Sequence, residues 1–190
     1  MFQFFGILSG VIALVASIPY IIDIVKGNTK PQRMAWVIFI TLSGISFFAQ
    51  LAEGATNSLW FPLVLFVQAI IIFSLTLKYG MGGFGKFDIL SLILAILIMV
   101  IWVVTKSAAI AIICSVTVNT LGKILVAAKV YKKPNTEYVP TWTWSAIASV
   151  FAVLAVGKLD WILMLPAFQN ALTVGAIAAL IVMRRKELKK

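Results

Sequence analysis

Several polar side chains stand inside stretches that are otherwise almost wholly apolar, where a polar group is costly unless it has a partner or a cavity to face. Lys123 is the clearest. It follows Asn119 by four residues and Ser115 by eight, so the three share one face of a helix. An ammonium group there either snorkels along its own stem to a polar interface or faces an internal pathway, where Asp23, one turn from Tyr20, could pair with it. Asp23 reads equally as a solvated acid at a helix end near Lys26. Gln68, Gln169 and Asn170 lie mid-way along two further apolar stretches, where their amides either bind a polar solute or hold helices together. Pro19, Pro62 and Pro166 interrupt backbone hydrogen bonding and are the expected hinges. The expected substrate-binding set is therefore Tyr20, Asp23, Gln68, Asn119, Lys123, Gln169 and Asn170.

Catalysis is not among the expectations. Histidine is absent, which removes the commonest general base and metal ligand. The single cysteine, Cys114, can make no disulfide within the chain and reads as a small buried residue. There is no G-x-S-x-G, no H-E-x-x-H and no pair of aspartates in an apolar stretch. Gly80-Met81-Gly82-Gly83-Phe84-Gly85 lacks the spacing of a phosphate-binding loop and reads as a linker. We expect no enzyme, no cofactor and no metal site.

The elements that must position these side chains follow from hydropathy. Of 190 residues, 62% are hydrophobic and 12% charged, against roughly a quarter charged in ordinary globular domains. Apolar runs fall at about 4–25, 33–52, 59–79, 88–105, 107–129, 140–156 and 161–183. Each approaches the roughly 20 residues needed to cross hydrocarbon, so the expected class is an all-α membrane protein of seven transmembrane helices.

Charge orients them. Lys26, Lys30, Arg33, Lys78, Lys86, Lys129, Lys132, Lys133, Arg184, Arg185, Lys186, Lys189 and Lys190 fall in alternate loops and the tail, whereas the opposite loops hold only Lys106 and Lys158. This bias predicts a multi-pass protein of the inner (plasma) membrane, N-terminus outside and C-terminus cytoplasmic. The net charge of +10 is thereby explained without nucleic acid. Trp36, Trp142 and Trp144 fall at inner helix ends and Trp60, Trp102 and Trp161 at outer ends, which reads as an aromatic belt and not as a binding surface.

The chain also repeats itself. Lys26 lies seven residues after Pro19, and Lys129 seven after Gly122; both units then show Asn-Thr (Asn28-Thr29, Asn135-Thr136), a proline (Pro31, Pro140) and a tryptophan opening the next helix. Trp60, Pro62 and Gln68 match Trp161, Pro166 and Gln169 in order. The expected organisation is a three-helix repeat at 1–84, a linker helix at 85–106, and a second three-helix repeat with a basic tail at 107–190.

At these residues the chain resembles the SWEET, SemiSWEET and PQ-loop transporter superfamily. The resemblance rests on Ser17, Pro19, Lys26, Thr29 and Lys30 in the first unit, on Thr136 to Pro140 in the second, and on Asp160 with Pro166 at the last helix. It implies two parallel three-helix bundles joined by a linker helix. Tyr20 replaces the glutamine of the signature, and Leu63 and Ala167 stand where the family places its sugar-contacting asparagines, so the resemblance implies the scaffold more than the sugar. The stretch from Pro19 to Trp36 also resembles a group of uncharacterised bacterial membrane proteins. The expected function is transport of a small polar solute by alternating access and facilitated diffusion, with Lys123 favouring an anionic solute. A non-transporting scaffold or receptor-like protein is the alternative. The expected partners are the solute and the lipid bilayer, and pairing of protomers is left open.

Overall fold

The computed structural model describes residues 1–28, 31, 33–80, 86–132, 134 and 139–188. Expectations resting on Thr29, Lys30, Gln32, residues 81–85, Lys133, residues 135–138, Lys189 and Lys190 lie outside the described residues.

Among the described residues the structure is all-helical, with seven α-helices: α1 (Phe2–Val25), α2 (Arg33–Ala52), α3 (Trp60–Tyr79), α4 (Lys86–Thr105), α5 (Ala108–Lys132), α6 (Val139–Ala155) and α7 (Trp161–Glu187). A 3-10 turn at Asn57–Leu59 leads into α3. Three segments, Phe2–Val25, Asn57–Tyr79 and Trp161–Glu187, are long and apolar enough to cross a membrane. Shorter apolar helices fill Trp36–Ala52, Leu92–Thr105, Ala108–Thr120 and Val139–Ala155. The helices follow the apolar runs except at two ends, where α5 and α7 continue several residues into basic sequence. Lysine, arginine and glutamate are good helix formers, so loss of hydropathy there does not end a helix.

Local chemistry ends the helices. Gly27 (φ +76°) and Gly54 (φ +80°) take the left-handed conformation that closes α1 and α2, and the amides of Asn28 and Ala55 donate back to the carbonyls of Asp23 (2.9 Å) and Gln50 (3.0 Å). Two residues, Lys106 and Ser107, turn α4 into α5, with Lys106 itself in the left-handed region at φ 52°. Asp160 caps α7, its carboxylate accepting from the Leu163 amide at 3.1 Å. That donor, with Lys158 alongside at 3.3 Å, holds the Asp160 carboxyl below its ordinary pKa. Within the helices, hydroxyls donate to the preceding turn, as Thr41 does to Val37, Ser115 to Ala111 and Thr120 to Val116. A hydroxyl satisfied in this way needs no water.

The helices pack as a ring. α3 lies against both α1 and α2, α7 against both α5 and α6, and the circuit closes through α1 on α6 and α2 on α5. α4 stands outside it against α2 and α5. Two ends can be told apart. At one, Gly6 meets the Asn57 carbonyl and Gly157 meets the Phe2 ring. At the other, Arg33 donates to the carbonyls of Thr76 (3.0 Å), Leu77 (3.5 Å) and Gly80 (3.3 Å) at the end of α3, where a cation also answers the helix dipole. Arg184 there donates to Tyr131 (3.1 Å) and lies 4.2 Å over its ring. The outer surface is apolar, with Phe4, Val11, Val15, Leu77, Val103, Val104, Ile113 and Leu172 all exposed. An apolar exterior of this extent suits hydrocarbon rather than water.

Gly6 sets how closely α1 approaches the turn before α3, because a Cβ there would lie 2.0 Å from the Asn57 carbonyl oxygen. Gly6→Ala is expected to lower the thermal unfolding midpoint of the detergent-solubilised protein, by a cost of about 1–3 kcal/mol. Gly175→Ala, whose Cβ would meet only Ala146 at 3.9 Å, should be neutral or stabilising. Equal losses would mean that the Gly6 contact is not made. At the cap, Asp160→Ala should cost about 1 kcal/mol. Because the folded-state pKa of Asp160 is depressed, its contribution is present above the usual carboxylate range and is lost as pH falls through the lowered value. The melting midpoints of the parent and the variant should therefore converge in strong acid.

Candidate functional site

A cavity of about 240 Å³ lies inside the ring, walled by α2, α3, α5, α6 and α7 and by the turn before α3. Its lining reaches from Gln50 and Ser58, at the end that carries Met1, past Asn119 and Asn170 to Trp36 in the first turn of α2, about 21 Å along that helix. Beside it, aliphatic residues pack the end that carries Arg33 and Arg184. Ile24, Ile72, Thr76, Val130, Ile177 and Ile181 are fully buried there, and Val130, Ile177 and Ile181 form one cluster with Trp142 packed against it.

Each wall has a local reason. On α2, Trp36, Phe39, Ser43, Ser46 and Gln50 face the cavity, and steps of three and four residues keep them on one side of the helix. Ser43 donates to the Phe39 carbonyl at 2.6 Å, and Gln50 donates to the carbonyl and hydroxyl of Ser46 at 3.1 and 3.0 Å. α3 contributes Phe61, Pro62, Leu65, Gln68 and Ala69, and α5 contributes Ser115, Val116 and Asn119. Pro166, Ala167, Gln169 and Asn170 of α7 complete it, with Ala152 of α6. Among the described residues the lining contains no acid and no base.

The five amides of the cavity are not alike: Gln50 is bonded within its own helix, to Ser46. Gln169 donates to the Thr120 hydroxyl at 2.9 Å, tying α7 to α5. Asn170 donates to Ser149 at 2.7 Å, tying α7 to α6, and its oxygen accepts from the Lys123 ammonium. Those two amides hold helices together. The side-chain oxygens of Gln68 and Asn119, in contrast, are buried without a hydrogen-bond partner.

The expected site residues are thus divided. Gln68, Asn119, Gln169 and Asn170 come together on the cavity wall. Lys123 does not line it; its ammonium is spent on Asn170. Nor is Lys123 paired with Asp23, which is exposed and accepts from Asn28 at 3.3 Å. Tyr20 packs on Trp36 with ring centroids 5.9 Å apart and stands behind the wall. Pro19 and Pro166 lie inside α1 and α7, as expected of helix interruptions. Pro62 is different, because it sits in the first turn of α3, where no intrahelical bond exists to be broken. Trp36 overturns its assignment to the aromatic belt, since it lines the cavity. Its stripe with Ser43, Ser46 and Gln50 escaped sequence reasoning, although the three- and four-residue spacing was available as a signal.

Comparison of the chain with family models, with curated proteins and with solved structures finds no match.

If the Lys123–Asn170–Ser149 chain holds α5, α6 and α7 together, Asn170→Leu should lower the thermal unfolding midpoint by leaving the ammonium without its acceptor. Adding Lys123→Met should recover part of the loss. A double-mutant cycle is expected to give a coupling of about 1–2 kcal/mol. Simple additivity of the two substitutions would show that the bond is not made.

Proposed function

We propose that the chain is a membrane transporter that moves a small solute through the ring by alternating access. The observation that carries this reading is the cavity inside the ring, lined by side chains of α2 and α3 on one side and of α5, α6 and α7 on the other. A scaffold gains nothing from such a space, since filling it with side chains would add packing energy. The packing order supports the 3+1+3 organisation. In each proposed repeat, 1–84 and 107–190, the third helix lies between the first and second, the two units meet through α1 on α6 and α2 on α5, and α4 within 85–106 stands outside as the linker. This is the arrangement implied by the resemblance to SWEET and PQ-loop transporters. Exchange of the solute then requires the two units to rock about the fixed cavity, with Pro19 and Pro166 permitting α1 and α7 to bend. The lining carries no acid, which favours facilitated diffusion over coupling to protons. On the charge bias, the end bearing Arg33, Lys78, Arg184 and Arg185 faces the cytoplasm.

Alternating access can be tested without knowing the solute. In a Cys114→Ser background, Ser46→Cys places a thiol on the cavity wall. A membrane-impermeant maleimide should label it both from outside in right-side-out vesicles and from inside in inverted vesicles. Labelling from one side alone would favour the scaffold or receptor-like alternative. In the same background, Lys158→Cys and Asn28→Cys should report opposite sides of the membrane; labelling of both from one side would remove the topology.

A further inference from the structure

The five cavity amides differ in what they bind, and the difference identifies the solute: Gln50 donates to Ser46 within α2. Gln169 and Asn170 are occupied by Thr120, Ser149 and Lys123, so they are scaffold. Gln68 on α3 and Asn119 on α5 stand on opposite units of the ring, and each keeps a buried oxygen with no partner. An unpaired buried acceptor weakens the empty protein; both oxygens are shut off from water-sized contact in the empty cavity, and a turn of either amide about its last torsion would bring its oxygen to a donor supplied from the cavity. We propose that Gln68 and Asn119 form the recognition pair of the transport site, and that the solute is uncharged, with an apolar body and an amide- or hydroxyl-bearing edge. This rests on the transporter reading above.

The surroundings set the rest of the class. The hydroxyls of Ser43 and Ser115 already donate to helix carbonyls, so they offer lone pairs to the cavity. Phe61, Leu65, Val116 and Trp36 supply apolar wall beside them. A sugar, polar over its whole surface, would leave hydroxyls unmatched against that wall. A charged solute finds no counter-charge on the lining. The Lys123 ammonium behind Asn170 opposes a cation, and an anion would have to draw it away from Asn170. A volume of about 240 Å³ equals roughly eight waters at their liquid volume, which limits the solute to about ten non-hydrogen atoms.

Nicotinamide, nicotinate, 3-(aminomethyl)pyridine and glucose are suitable probes, since the first three share a ring and differ in charge. Calorimetric titration of the purified full-length protein in nanodiscs should show binding of nicotinamide. Nicotinate and the amine should bind at least tenfold more weakly, and glucose not measurably. Gln68→Leu and Asn119→Leu should each weaken nicotinamide about tenfold, the equivalent of one hydrogen bond. Each should also raise the unfolding midpoint of the empty protein, because an unpaired polar atom is removed. A purely structural amide would move that midpoint downward, and this result overturns the proposal. Tighter binding of nicotinate than of nicotinamide overturns it in favour of an anionic solute, and tighter binding of glucose in favour of a sugar. If Ser46→Cys labels from both sides while nicotinamide fails to bind, the transporter reading stands and the solute class falls. If nicotinamide binds as expected while labelling stays one-sided, the recognition pair stands and transport falls.

Discussion

The organising constraint is that the outside of this bundle is apolar. With Phe4, Val15, Val103 and Leu172 turned outward, the surface suits hydrocarbon, where no water is at hand to satisfy peptide groups and a backbone that bonds within each helix is the natural solution. The same constraint disposes of the polar side chains. Serine and threonine hydroxyls fold back onto the preceding turn, and the larger amides turn inward. A cavity lined with amides is therefore a consequence of where polarity is tolerable. Which amides remain unpaired within it is a separate property of the sequence.

A ring of six helices leaves a space at its centre unless side chains fill it, and this chain fills it unevenly. Isoleucines and valine pack the end near Arg33 and Arg184, while serines, alanines and prolines line the cavity together with Trp36 and Phe39. Gly6 and Gly10 allow α1 to lie close against the segment Asn57 to Val64. Close approach outside and small side chains inside act together. The arginines at the packed end reinforce it by capping α3 and α5, which makes that end more than a hydrophobic plug. In the proposed transport cycle, a rocking motion must separate these caps as well as the aliphatic cluster.

The fold was largely legible because hydropathy varies along this chain in steps as long as its helices. Where that failed, at the ends of α5 and α7, basic residues with high helix propensity carried the helix past the apolar run. The site was legible only in part. Gln68, Asn119, Gln169 and Asn170 stand out because amides are rare in such stretches. Ser43 and Ser46 do not, since an isolated serine in an apolar helix usually bonds its own backbone. Trp36 was misassigned because depth was inferred from its distance to a helix end, whereas a long side chain in the first turn can reach inward. Lys123 shows the limit most clearly. Its helix face follows from spacing, but its partner is on α7, forty-seven residues away, and sequence position carries no information about that contact.

The contrast between Lys123 and Gln68 bears on how polarity divides between stability and binding. A buried charge without a partner costs more than a neutral amide in the same condition, so it is the lysine that must be matched by the protein itself, and Asn170 does so while also holding Ser149. An amide can remain unmatched at a cost the fold tolerates. A binding site that must release its solute benefits from that weaker obligation, because groups that are only moderately unfavourable when empty do not trap the solute once it is bound. On this argument the most conspicuous ionisable residue of the apolar sequence serves the scaffold, and the proposed recognition falls to two neutral side chains of the cavity wall.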